Sequence, residues 1–388
     1  MKHILECHEI VKTDFVRGEN CHLYDSQGKL HVDLESGIWS AVLGHGHPRV
    51  TQAMHAQMER VIHLGTRYPH SVAEEAALDV LSITGLNEGK CIFLSSGSEA
   101  VEFGAQAAKR VAGKKLFLTL VNSHLAAYGS TGNRRADEWH TLDWTNCPQD
   151  DPDECLREIP FDDIGVFAFE PGGSGGALVR FPPARLVQEI ARRVQQAGGL
   201  VVANEVTTGM GRTGRWFGFQ HYNVQPDVVC LGKGLGNGYP VSAAAMKLEI
   251  AKKLEDSGFH YAQSHQNDPL GCVIAREVIA VLRDGNWMER GNAIGTDLLT
   301  RLEQLAQKHS LIKEARGRGM LLGLELNPRA DFPVKAAYRA LLEEGFIVGY
   351  YPDGNLLRLT PALTIPESDI SAFVKTLDTI LVKAEATS

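Results

Sequence analysis

Short apolar runs recur through the middle of the chain, each closed by glycine or a polar residue, and segments with apolar residues at helical spacing lie between them. That alternation predicts an α/β fold, a mostly parallel sheet flanked by helices. Two runs organise the rest. Leu200–Ala203 and Asp227–Leu231 are rich in β-branched residues and read as strands buried on both faces. The first runs into Asn204 and Glu205. The second runs into Lys233, which sits among Gly232, Gly234, Gly236 and Gly238. Ligands in open α/β sheets bind just outside the carboxyl ends of the strands. Asn204 and Lys233 are therefore predicted to share one site. A lysine so placed can form a Schiff base when its surroundings lower its pKa.

The same pattern supplies the other edges of that site. Cys91–Leu94 runs into Ser95-Ser96-Gly97-Ser98 and then an Ala-rich helix. A helix N-terminus offers unpaired N–H groups to an anion, and Gly97 and Ser98 are the candidate phosphate contacts. The alternative is that Ser96 or Ser98 merely caps the helix, with Glu99 or Glu102 favouring its first turn. Residues 116–121 form another strand, followed by Asn122-Ser123-His124. Residues 164–169 end at Glu170-Pro171 and a loop with glycines at 172, 173, 175 and 176. A helix over Pro183–Gln196 leads back to the first strand.

Upstream, Tyr24–Gly28 reads as a turn between two short strands, and residues 50–85 as helical. Residues 133–160, polar and containing proline, read as surface connection. From Asn286 an amphipathic helix gives way to short strands and helices, a small α+β unit. Arg358 lies mid-strand there in an apolar context. A guanidinium so placed suits a substrate carboxylate, the alternative being a structural ion pair.

Composition narrows the class. The 388 residues are 44% hydrophobic and 22% charged with a formal net charge of −8, which argues against nucleic acid and anionic membranes as partners. The seven cysteines are scattered with no C-x-x-C pair, so a reduced, cytoplasmic setting without a metal framework is expected. No leader is visible at the N-terminus, and no window is apolar enough to span a bilayer. His45 and His47 read as a turn before Pro48 rather than as metal ligands, since no carboxylate stands close by in sequence.

EVTTGMGRTG followed by WFGFQHYNVQPDVVCLGKGLGNGYPVSA resembles the core signature of the class III, omega and ornithine-type aminotransferases. That family has fold type I and uses pyridoxal phosphate. The resemblance extends to LYD-x-x-G with LGHGHP near the start, to Ser96–Ala100, to Glu170-Pro171 and to LR-x-x-P around Arg358. It implies a large cofactor domain over 49–285 and a small domain from both termini, 1–48 and 286–388. It implies Lys233 as Schiff-base lysine and general base, Gly97 and Ser98 at the phosphate, and Arg358 at the substrate carboxylate. Val206 would press on one ring face and His124 on the other, although an alignment shifted by one puts Ser123 there instead. Ser264 would reach the phosphate of a neighbouring subunit in a homodimer with shared sites. Trp39 falls at a pocket position, with a core or interface aromatic as the alternative.

The implied reaction moves an amino group between an amino acid or omega-amine donor and a 2-oxo acid. Three departures bear on it. Asn204 stands where the family has the aspartate that keeps the pyridine nitrogen protonated. Gly173 and Gly175 replace a glutamine and a glutamate, which counts against an ornithine or acetylornithine enzyme. Asn204 also leaves open a racemase or epimerase, a lyase, or a weakly catalytic binding protein. Glu205 cannot stand in for the aspartate, because neighbouring strand residues point to opposite faces.

Overall fold

The computed structural model describes residues 3–148, 151–172 and 178–386, so Gly173 and Gly175 lie outside the described residues. The strands in chain order are β1 Phe15–Glu19, β2 His22–Asp25, β3 Leu30–Asp33, β4 Lys90–Leu94, β5 Leu116–Leu120, β6 Trp139–Leu142, β7 Ile164–Phe169, β8 Leu200–Asn204, β9 Val228–Leu231, β10 Ser242–Met246, β11 Ile312–Arg318, β12 Leu321–Leu326, β13 Phe346–Ile347, β14 Gly349–Tyr351 and β15 Leu356–Leu359.

Seven of them form a central sheet in the order β4-β10-β9-β8-β7-β5-β6. β8 runs parallel to β7 and β9, and β5 parallel to β7 and β6. β10 runs antiparallel to both its neighbours. Every residue of β7, β9 and β10 is buried, which explains why β7 and β9 read as unbroken apolar runs. The two-residue period divides the core. Val202 packs with Ala105 and Ala108 of the helix Gly97–Ala112, whereas Val201 and Ala203 pack with Leu186, Val187 and Ile190 of the helix Ala184–Gln196. Fold type I is thus built, with helices on both faces of a mostly parallel sheet.

Two smaller sheets flank this core. β1, β2, β3 and β13 form one, in which β3 runs parallel to β13, so the N-terminal strands join the C-terminal region. β11, β12, β15 and β14 form an antiparallel sheet that shares a core with the helices Trp287–Lys308, Val334–Glu343 and Glu367–Ala386.

Two expectations are corrected. The stretch 133–160 is not only surface connection, because Trp139–Leu142 is β6, the edge strand of the central sheet. Trp139 stacks on Phe117 with ring centroids 4.4 Å apart. Four residues are too few to show a period. Cys147 and Cys155 are disulfide-bonded, so two of the seven cysteines are not free thiols. Among the described residues no helix is long and apolar enough to cross a membrane.

Candidate active site

Five strands deliver chemistry to one end of the central sheet. β4 leads into the helix at Gly97, β5 towards His124, β7 to Glu170, β8 ends on Asn204, and β9 leads to Lys233.

Lys233 follows Gly232 in a left-handed backbone conformation, φ +43°, sparsely populated for any residue with a side chain. Its Nζ lies 4.0 Å from the centroid of the Trp39 ring. Burial, the largest cause, lowers its pKa to about 8; Glu170 opposes the shift, and the Arg358 and Arg212 guanidinium groups reinforce it.

The helix N-terminus at Gly97 lies against this lysine loop. A Cβ on Gly97 would sit 2.5 Å from Cγ1 of Val206, and one on Gly232 would sit 3.1 Å from Cα of Gly97. Gly97 therefore has to be glycine, because Val206 fills the space over it. Ser96 is the helix cap: its side chain accepts from Glu99 N, and Glu99 reaches back to Ser96 N at 2.7 Å. Ser98 is thus not needed as the cap. Its Oγ accepts from Ala127 N at 3.0 Å, which leaves the hydroxyl hydrogen available to an anion at the N-terminus.

Asn204 is buried at the end of β8. Its Nδ2 donates to the carbonyl of His124 at 2.7 Å, and its Oδ1 accepts from Val206 N at 3.1 Å. The side chain thus ties the three residues predicted around the cofactor ring to one another. The His124 ring is exposed, and its pKa is lowered, chiefly by partial desolvation and further by Lys233 and Arg134, with Glu170 opposing. Its backbone N–H donates to Glu170 Oε2 at 2.9 Å, and Thr207 Oγ1 donates to Glu170 Oε1 at 2.6 Å. Glu205 faces away, as the strand period requires. Its carboxylate accepts from Gly218 N, Phe219 N and Thr208 Oγ1 at 2.7–2.8 Å, and burial raises its pKa to about 7.

Arg358, on β15, closes the other side. It is 1% exposed. Its Cζ lies 3.6 Å from the Trp39 ring centroid, and Nη2 donates to Glu35 Oε1 at 3.0 Å and to the Tyr351 hydroxyl. Nε and Nη1 of Arg358 and Nε1 of Trp39 are buried with no hydrogen-bond partner. Burial lowers the Arg358 pKa to about 9, opposed by Glu35, and raises that of Glu35, opposed by Arg358. The ion pair of Arg358 is thus present, with one nitrogen paired to Glu35, while two nitrogens are enclosed without a protein partner. Glu35 and Trp39 bracket an unusual backbone, since Ser36, Gly37, Ile38 and Trp39 all have φ between +51° and +69°. Left-handed residues normally occur singly, so this run is a strained left-handed turn. Arg212 braces it from below, donating to the carbonyls of Trp39, Thr360 and Pro361.

Lys233, Trp39 and Arg358 are therefore brought together, as are Gly97, Ser98 and Val206, with Asn204 and His124 joined beside them. Ser264 stands apart, exposed on a turn. Sequence reasoning missed Glu35, Glu170, Thr207 and Arg212 as members of the site. Only Glu170 carried a signal, as a carboxylate at a strand end.

The family model described as "Aminotransferase class-III" matches residues 6–124 and 151–381. An acetylornithine aminotransferase of Methanopyrus kandleri is 30% identical over 92% of this chain and 90% of its own length. One from Archaeoglobus fulgidus is 28% identical over 96% of this chain and 97% of its own length. Among solved structures, a Bacillus anthracis aminotransferase superposes with a TM-score of 0.90 at 25% identity, covering 98% of this chain and 96% of its own. A transaminase from the marine bacterium Virgibacillus gives a TM-score of 0.91 at 23% identity, with 100% and 98% covered.

Proposed function

The chain belongs to the class III aminotransferases, which use pyridoxal phosphate, and from that premise we propose which of its residues carry the transfer. The observation that carries the assignment is Lys233, an amine just beyond the end of β9 whose pKa burial lowers to about 8, beside the N-terminus of the helix at Gly97. The donor set fits the cofactor. Gly97 and Ser98 offer N–H groups and a hydroxyl to a phosphate, Lys233 offers an amine to an aldehyde, and Val206 and His124 lie close by. When bound, pyridoxal phosphate supplies the covalent attachment for the substrate amine and the electron sink for its α-carbon.

The chain's own residues do the rest. Lys233 Nζ, with its pKa lowered to about 8, gives up its proton readily and is the group that takes a proton from the substrate Cα and returns it. Arg358, whose Nε and Nη1 have no protein partner, serves the carboxylate of a 2-oxo acid or amino acid once the Trp39 ring that covers it shifts. Trp39 lies against both side chains, its ring centroid 4.0 Å from Lys233 Nζ and 3.6 Å from Arg358 Cζ. Asn204 would bring a neutral amide to the cofactor where a relative with aspartate brings a carboxylate, which would make proton removal from Cα slower.

The donor is an amino acid or omega-amine and the acceptor a 2-oxo acid; acetylornithine, for which the curated relatives are named, belongs among the donors tested. Residues 49–285 serve as the cofactor domain, and 1–48 with 286–388 as the small domain. The working form is a cytoplasmic homodimer. Exposed Met58, Val61, Ile62 and Tyr68 are available for its interface, and Ser264 reaches the partner's phosphate site. The test is borohydride reduction of the coloured holoenzyme followed by peptide mapping, then a donor–acceptor screen. A label on Lys233 and amino transfer to an oxo acid are expected. Cofactor attached elsewhere, or ammonia release or racemisation without transfer, overturns the reading.

A further inference from the structure

Outside the active site, two groups of three ligand-bearing side chains converge among the described residues: Cys21, His22 and Asp369, and His63, His265 and Asp268, the donor atoms of each lying within 4.8 Å of one another. In the first group the thiol is buried. Cys21 is 1% exposed, which keeps its sulfur out of reach of an ion from solvent, whereas the His63 and His265 side chains are 45% and 61% exposed. The second group has no such obstacle. We propose that His63, His265 and Asp268 form a binding site for one divalent transition-metal ion, of which Zn²⁺ is the best match.

The geometry carries this. His63 Nδ1 lies 2.6 Å from Asp268 Oδ1, and His265 Nδ1 lies 2.5 Å from Asp268 Oδ2. The two rings stand 4.9 Å apart, tilted by 48°. Two imidazoles from distant parts of the chain thus aim the same ring nitrogen at the two oxygens of one carboxylate. A neutral imidazole binds a metal through the lone pair of one nitrogen while its proton sits on the other. Moving each proton from Nδ1 to Nε2 turns this doubly hydrogen-bonded carboxylate into a two-nitrogen, one-oxygen ligand set. That set suits Zn²⁺, Co²⁺ or Ni²⁺, not Mg²⁺ or Ca²⁺, which take oxygen ligands.

The turn that carries His265 and Asp268 is also held in place. Asn267, next to Asp268, exchanges two hydrogen bonds with Phe93 of β4, at 2.8 and 3.0 Å, which locks the turn to the central sheet. Gln263 accepts from His265 N at 2.9 Å. A cavity of about 180 Å³ lies alongside, lined in part by His265, Asp268 and Tyr239. It has room for the water that would complete a tetrahedral site with three protein ligands. A bound ion would tie the connection after the helix Pro48–Met58 to the turn that carries Ser264. It would thereby stabilise the folded chain by mass action.

The test uses the full-length holoenzyme after dialysis against a chelator. Zn²⁺ is titrated by calorimetry, and Co²⁺ is followed by absorbance. One equivalent of Zn²⁺ binding in the micromolar range or tighter is expected, with a rise in Tm. His63→Ala and His265→Ala should each weaken binding by at least about tenfold, while their Tm in chelator stays near that of the parent. Cys21→Ser should leave the affinity unchanged, and the Co²⁺ spectrum should lack a thiolate charge-transfer band. No stoichiometric binding by the parent chain overturns the proposal. So does a His63→Ala/His265→Ala double variant that binds Zn²⁺ as the parent does, or a thiolate band lost in Cys21→Ser.

Discussion

The two halves of the active site are built to different standards. The half at the strand ends, with Gly97, Ser98, Asn204, Glu170 and Val206, is closely satisfied. Asn204 uses both ends of its amide, Glu170 uses both oxygens, and Ser96 and Glu99 form a complete capping box. The half formed by Glu35, Trp39 and Arg358 is not. It holds three buried nitrogens without partners and a left-handed turn of four residues. Buried polar groups are ordinarily paired, and strain persists only where the surroundings impose it. The contrast supports the proposed division into a cofactor half, whose side chains are largely paired with one another, and a substrate half, whose side chains are not. On that proposal the first would suit a group that stays, and the second one that comes and goes.

The sharpest way to break this comparison is to empty the substrate half. Arg358→Ala leaves the half-buried Glu35 without its partner, and loss of one member of a pair costs about 3–5 kcal/mol when fully buried and less here. We expect a fall in Tm and at least a hundredfold rise in KM for the oxo acid, with cofactor affinity nearly unchanged. Glu35→Gln/Arg358→Met should recover the Tm but not the KM. Equal loss of cofactor binding, measured by titration of the apoprotein, would show that the two halves are one unit.

The cofactor half is broken at Gly97. In Gly97→Ala the new methyl meets Cγ1 of Val206 at 2.5 Å, and the helix N-terminus must move. Overpacking of this kind costs about 1–3 kcal/mol. Pyridoxal phosphate affinity should fall by roughly tenfold to a hundredfold, with the oxo-acid KM of the saturated enzyme little changed. Val206→Ala in the same chain should restore part of the affinity. If it restores none, Gly97 matters for its backbone rather than for the space above it.

The two halves also differ in how far sequence discloses them. Lys233, Gly97 and Asn204 sit at the ends of apolar runs, and the strand-end rule places them without any tertiary information. Glu205 was rightly set aside by the two-residue period alone. Glu35 and Arg212 are invisible in that way. Glu35 meets a partner 323 positions away, and its importance comes from desolvation, which no local pattern encodes. The left-handed turn is equally silent, since Ile38 is among the residues least expected to adopt it. β6 was missed because four residues at a sheet edge carry no period, and the Cys147–Cys155 disulfide because its spacing matches no motif.

Asn204→Asp tests the cofactor half more gently, and the structure alters what to expect of it. Seen only as a lost charge, Asn204 invites the reverse change as a gain of function. Its amide, however, donates to the His124 carbonyl at 2.7 Å, and a second carbonyl, of Leu125, lies 3.4 Å away. An aspartate oxygen in that place accepts where it must donate. The mismatch costs about 1–3 kcal/mol, the range for a buried group left without its partner. The apoprotein should therefore lose several degrees of Tm. The loss should shrink in the holoenzyme, where a protonated pyridine nitrogen offers the carboxylate a counter-charge. The rate of proton removal from substrate, followed in single turnover, should rise in the holoenzyme even as the apoprotein weakens. A variant that is less stable in both forms and no faster would mean that this pocket is shaped around the amide, so that the neutral acceptor is its working design.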